Sequence, residues 1–193
     1  KSHAWIGTGA AAKSRVLRTA DRGRTWQVAE TPLVSGPSAG IFSIAFRDAR
    51  HGVIAGGDYR KETEAIDNLA VTSDGGITWT LVKGLSGFRS VVTYVPGTKT
   101  LIALGPSGGD YSVDDGRTWT TIDGPGFDTF SFVPRKATGW GAGAQGAIGR
   151  LAFDQRASTL LATIFTCFRI ASSRFAERCQ LVPILRNRTI PSW

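Results

Sequence analysis

The sequence predicts an all-β protein, an incomplete β-propeller of four-stranded antiparallel blades. Three observations carry that prediction. Glycine is abundant, 24 of 193 residues, while helical periodicity is scarce, as expected of many short strands joined by turns. An octapeptide with five fixed positions recurs three times without gaps. Short alternating segments surround it in fours, at the period of propeller blades.

The octapeptide occupies residues 19–26, 72–79 and 112–119, in the pattern S/T-x-D-x-G-x-T-W, and its tryptophans are 53 and then 40 residues apart. Asp21, Asp74 and Asp114 can accept backbone N–H groups in a tight turn between two strands. Gly23, Gly76 and Gly116 supply the positive φ that a bulged hairpin needs. Thr25, Thr78 and Thr118 open the outgoing strand and can tie their hydroxyls back to the turn. Trp26, Trp79 and Trp119 are plates wide enough to pack between neighbouring sheets. These aspartates therefore read as structural, not catalytic.

The strands follow in order. The chain enters part-way through a unit, with strands at 4–7, 15–18 and 25–29. A whole unit covers 42–46, 51–56, 69–72 and 78–82. The next covers 88–95, 100–104, 110–113 and 118–122, and a last begins with 127–133, 139–144 and 147–151. Residues 1–151 thus form a partial propeller of about three to four blades, where closure takes about four to eight. The mid-unit start and the absence of Met predict a C-terminal fragment of a longer protein, whose parent chain supplies the missing blades.

Residues 152–193 read differently. From residue 151 onward there is no Gly and no Lys, but six Arg and both Cys. Two readings stand for this atypical tail: an amphipathic helix over 160–175, or translation out of frame, which the abrupt change favours. The formal net charge is +8, and half of it comes from this segment, so no nucleic-acid partner is expected. No apolar run reaches the ~18 residues of a membrane span. Two His and two Cys do not make a metal set, and neither metal nor cofactor is expected. Gly141, Gly143 and Gly146 match a dinucleotide fingerprint, but no helix period follows them, and the repeat explains them as an inter-strand loop.

The octapeptides, with residues 38–52, 88–97 and 139–143, resemble the Asp-box, or bacterial neuraminidase, repeat. The closest resemblance is to bacterial relatives of the photosystem II stability/assembly factor family, within the sialidase and sortilin-like propellers. That resemblance implies a non-enzymatic binding or assembly scaffold, and periplasmic or secreted localisation. The alternative is a carbohydrate-active glycoside hydrolase or sialidase-like propeller whose catalytic residues lie mostly outside this chain. The sialidase arginine triad and tyrosine–glutamate pair find no matching positions, and no residue is assigned as catalytic.

One blade is longer than the next, and the excess lies at 58–68, between its second and third strands. In a propeller those loops share a face with the blade-to-blade connections, opposite the octapeptide turns. A protein or glycan ligand is expected on that face, near Asp58, Tyr59, Arg60, Glu62, Glu64 and Asp67. A carboxylate pair there, roughly 5–9 Å apart, would suit glycoside chemistry. Arg89, at the start of an innermost strand, needs a partner: Asp58 or Asp110 structurally, or an anionic ligand.

Overall fold

The computed structural model describes residues 2–153, 162–167 and 180–183. Within them, sixteen strands form four antiparallel sheets taken in chain order. The first sheet holds β1 (Ala4–Gly7), β2 (Arg15–Thr19) and β3 (Gln27–Glu30). The second holds β4 (Ala39–Phe46), β5 (Gly52–Asp58), β6 (Leu69–Thr72) and β7 (Thr80–Leu81). The third holds β8 (Val91–Tyr94), β9 (Leu101–Gly105), β10 (Gly108–Ser112) and β11 (Thr120–Ile122). The fourth holds β12 (Thr129–Phe132), β13 (Thr138–Gly143), β14 (Ala147–Phe153), β15 (Ala162–Cys167) and β16 (Gln180–Pro183). Every pairing joins sequential strands, so each sheet is a meander. The sheets do not close on themselves, and the architecture is an incomplete β-propeller.

Alternation assigns the two faces of each strand to different neighbours. In β5, Ile54 faces the first sheet and packs with Val16, Leu33, Ile41 and Ala70. Val53 and Ala55 face the third sheet and pack with Leu69, Leu85, Val92, Leu101 and Ala103. The pattern shifts one sheet along in β9, where Ile102 and Leu104 join Phe127, Phe130, Leu151 and Phe153. Three apolar layers therefore separate four sheets, each built from both flanking strand sets. This explains why central strands such as β5 and β9 are apolar at almost every position.

The inner strands converge so closely that some positions exclude a side chain. A Cβ on Gly56 would lie 1.9 Å from the Gly40 carbonyl oxygen, and one on Gly126 would lie 1.9 Å from that of Pro106. Backbone bonds cross the junctions there: Ile41 N to Thr8 O at 3.3 Å, Arg89 N to Gly56 O and Phe127 N to Gly105 O, both at 3.0 Å. Gly143, of the dinucleotide-like run, likewise sits against the Gly126 carbonyl.

Beyond residue 151 the fourth sheet continues. Strand β14 runs to Phe153, β15 pairs with it from Ile148↔Cys167 to Phe153↔Ala162, and β16 adds to β15. Residues 162–167 are thus a strand, where the helical alternative over 160–175 required a helix. The rest of that span lies outside the described residues. Strand β15 takes the fourth-strand place that β7 and β11 hold in their sheets.

Candidate functional site

The octapeptides bend β2 into β3, β6 into β7 and β10 into β11, and all three do so with the same bonds. The first-position hydroxyl of Thr19, Thr72 or Ser112 donates to the Asp at 2.8 Å and accepts the Gly amide at 2.9–3.0 Å. The Thr hydroxyl donates to the second carboxylate oxygen at 2.6 Å (Thr25, Thr78) or 2.7 Å (Thr118). The Thr amide closes on the first oxygen at 2.9–3.0 Å. Gly23, Gly76 and Gly116 have φ of +83°, +86° and +83°.

These bonds favour the ionised carboxylate. The Thr25 hydroxyl and amide, with Thr19, hold Asp21 at about 2. Burial would raise Asp74, but bonds from Thr78, Thr72 and Ile77 outweigh it and hold it at about 2. Asp114 is likewise lowered against its burial by Thr118, Ser112 and Arg117. Hydrogen bonds from within each turn thus converge on its own carboxylate.

The tryptophans divide. Trp79 packs on the core between the first two sheets, and Trp119 on the core between the second and third. Trp26 is 41% exposed. Trp79 and Trp119 pack toward the sheet before their own, whereas Trp26 belongs to the first of the described sheets. The expectation that all three pack between sheets therefore holds for two.

The 58–68 insert lies on the opposite face, and its backbone is clamped to its neighbours. The Glu62 carbonyl accepts the Phe88 amide at 2.8 Å and the Ser107 hydroxyl at 2.9 Å. The Val34 amide donates to the Asp67 carbonyl at 2.8 Å, and the Tyr59 amide to the Ser38 carbonyl at 3.1 Å. Asn68, buried at the end of the loop, donates to the Gly87 carbonyl at 2.7 Å. Asp58 caps the Arg60 amide at 2.9 Å, and that bond and Ser38 lower its pKa. Lys61 pairs with Glu64 at 3.2 Å. The Glu62, Glu64 and Asp67 side chains are left on the surface.

Arg89 and Asp110 form the buried anchor beneath this loop, both with 0% exposure. Arg89 Nε donates to Asp110 at 2.7 Å, Nη1 to the Phe88 carbonyl at 2.8 Å and Ser107 at 3.2 Å, and Nη2 to Ser86. Asp110 also accepts the Ser86 amide and hydroxyl at 3.1 and 2.9 Å. Of the partners considered for Arg89, the structure supplies Asp110 and not Asp58, and the guanidinium presents no surface to an anion. It acts on the loop from below, because Ser107 bridges Arg89 and the Glu62 carbonyl.

Phe42 was not legible as a site residue. A register shift between Ile41 and Ser43 bulges β4 and leaves Phe42 43% exposed. Its ring meets Phe88 edge-on at 4.8 Å and Tyr59 edge-on at 6.0 Å. Tyr59 is 44% exposed, and the Arg60 guanidinium lies 5.9 Å from its ring centre. Phe42, Tyr59 and Arg60 make a supported aromatic platform flanked by the insert's carboxylates. Among the described residues no group of three or more His, Cys, Asp or Glu could hold a metal ion. No helix there is long and apolar enough to cross a membrane.

No family model matches the chain, and no curated protein matches it. Among solved structures it is similar to an ancestral GH74 enzyme, with a TM-score of 0.52 and 15% identity over 92% of this chain and 25% of that one. It is also similar to the GH74 xyloglucanase from Xanthomonas campestris, with a TM-score of 0.45 and 17% identity over 86% of this chain and 27% of that one. The chain spans about a quarter of the length of these structures. The first likeness agrees with the serial four-stranded sheets and carries the fold alone.

Proposed function

We propose that the chain is a ligand-binding segment of a larger propeller of the Asp-box kind, acting as a scaffold rather than a catalyst. The ligand lies on the loop face, across Phe42, Tyr59 and Arg60, with Asp58, Glu62, Glu64 and Asp67 at its border. The observation that carries this reading is the exposed aromatic platform on a backbone already clamped to three neighbouring segments. Such preorganisation lowers the ordering cost of binding, and aromatic faces beside mixed polar groups suit either a glycan strand or a peptide. The described carboxylates with displaced pKa values, Asp21, Glu30, Asp48, Asp58, Asp74 and Asp114, all move down. A glycosidase general acid needs the opposite shift.

The test is equilibrium binding of cello-, chito- and malto-oligosaccharides and a random peptide display library to the chain and to Tyr59→Ala. Binding that weakens about tenfold or more in Tyr59→Ala supports the reading, since an interface aromatic contributes about 2 kcal/mol or more. Binding that ignores the substitution contradicts it. The likeness to a GH74 enzyme favours a second reading, a carbohydrate-active hydrolase with most catalytic groups outside these residues. Glycan turnover by the longest natural form that Glu62→Gln, Glu64→Gln or Asp67→Asn abolishes would establish that reading and displace the first.

A further inference from the structure

Each junction between neighbouring sheets is made of two unlike halves, and strand register identifies the positions that build them. Gly52, Leu101 and Gly139 pair with Phe46, Tyr94 and Phe132 in successive inner hairpins. Ala4 holds the same place in the first sheet, since it pairs with Thr19 as Gly52 pairs with Thr72 and Leu101 with Ser112. One residue further on stand Trp5, Val53, Ile102 and Trp140. The first three face the following sheet, each in the apolar layer beyond its own sheet. Two residues further on stand Ile6, Ile54, Ala103 and Gly141. Alternation turns these the other way, and Ile54 and Ala103 face the preceding sheet.

By this register the described sheets end in one half of each kind. The first sheet presents Ile6, Leu17 and Val28 in line, with Trp26 beside them. These are the places that Ile54, Ala70 and Leu81, with Trp79, hold in the second sheet, where Ile54, Ala70 and Trp79 pack on the sheet before. The fourth sheet presents Trp140 and Ile148, at the places that Trp5 and Val16 hold in the first. Trp5 and Val16 pack on the sheet after. Ile6, Trp26, Val28, Trp140 and Ile148 are all exposed, and among the described residues no further sheet covers either face. One chain therefore carries both halves of an apolar junction, at its two ends and of opposite kind.

We propose that two copies of the chain associate head to tail, the first sheet of each seated on the fourth sheet of the other. A second copy is the occupant because it brings to each face the half that the face lacks. Pairing of like faces has no precedent in the three internal junctions, each of which joins unlike halves. The sheet count sets the stoichiometry. A head-to-tail contact forms a ring where its rotation closes and a filament where it does not, and propellers close at about four to eight blades. With four sheets in each chain, two copies give eight blades and three would give twelve. The proposal rests on the reading of the chain as a segment of a larger propeller, and it names a second copy as the source of the remaining blades.

Sedimentation equilibrium on the full chain tests this, with Ile6→Lys plus Val28→Lys blocking the first-sheet face and Trp140→Glu blocking the fourth. The replaced side chains are exposed, so both variants keep the fold, and an unchanged melting temperature checks it. The expected result is a discrete species of twice the chain mass, whose dissociation constant rises about tenfold or more in either variant. Mixing the two variants should recover a dimer of intermediate strength. One of its junctions then carries no substitution, and in the other the lysines meet the glutamate. Four results overturn the proposal: a monomer throughout the micromolar range, a dimer indifferent to Trp140→Glu, no recovery on mixing, or an open series of larger species. A monomer would leave the two faces to further blades of a longer chain, and indifference to Trp140→Glu would mean that like faces pair. Ligand binding is read separately through Tyr59→Ala, on the loop face. A monomer that still binds oligosaccharide or peptide there sinks the assembly and spares the ligand reading, and a dimer that binds neither does the reverse.

Discussion

At the residue scale, the turn carboxylates and the buried ion pair make opposite demands on the same chemistry. Asp74 gains hydrogen bonds on folding and titrates at about 2, against roughly 3.9 in an unfolded chain. A depressed folded pKa gives stability that is fully present above the unfolded value. That stability is lost as pH falls through the folded value, because the unfolded state then binds more protons. We therefore expect thermal stability to fall between about pH 4 and pH 2, and Asp74→Asn to flatten that dependence; scanning calorimetry across the range reads it. Arg89 and Asp110 are different, because neither can be removed alone without stranding a charge. Arg89→Leu is expected to cost about 3–5 kcal/mol in urea unfolding, and Arg89→Leu with Asp110→Asn to recover more than half of it. A double variant as unstable as the single would show that the pair's other hydrogen bonds dominate. The octapeptide was legible at this scale because its side chains bond only within eight residues. The partner of Arg89 was legible only as a choice between Asp58 and Asp110, since a contact over 21 residues depends on register that local spacing does not set.

At the element scale, most strands lie within one to three residues of where alternation and turn chemistry put them, and β1 and β6 match. The bulge in β4 was hidden, because Ile41, Phe42 and Ser43 read as ordinary alternation while the pairing skips Phe42. The platform thus escaped sequence analysis, although the insert beside it announced itself by length. The close approach of inner strands yields a sharper expectation. Gly56→Ala would drive a methyl group into the Gly40 carbonyl, and should destabilise by about 1–3 kcal/mol. Gly97→Ala, with nothing within 4 Å but φ of +79°, should cost less, about 1 kcal/mol. Equal losses at the two positions would argue against backbone convergence as the reason for Gly56.

For the whole molecule, the three apolar layers explain cohesion, and the two end sheets explain what is left over. Ile6, Leu17 and Val28 are in register across the first sheet, and Ile6 and Val28 remain 51% and 61% exposed beside Trp26. Ile6 holds the place that Ile54 holds in the second sheet, where it is fully buried. At the other end Trp140 and Ile148 are exposed on the fourth sheet. Such faces predict self-association of the isolated chain. Sedimentation should show it, and Ile6→Lys with Val28→Lys should reduce it without lowering the melting temperature by more than a few degrees. Ile54→Lys should instead unfold the protein.

The serial arrangement of sheets, with the octapeptides as their bends, is tested most directly by proton NOEs across the junctions. Gly76 sits against Trp5 and Gly116 against Val53 and Val71, each contact reaching from one octapeptide glycine to the preceding sheet. The account predicts NOEs from Gly76 Hα to the Trp5 indole and from Gly116 Hα to the Val71 methyls, with no such cross-sheet contact for Gly23. Gly76 and Gly116 without these contacts, or in surroundings unlike each other, would contradict it.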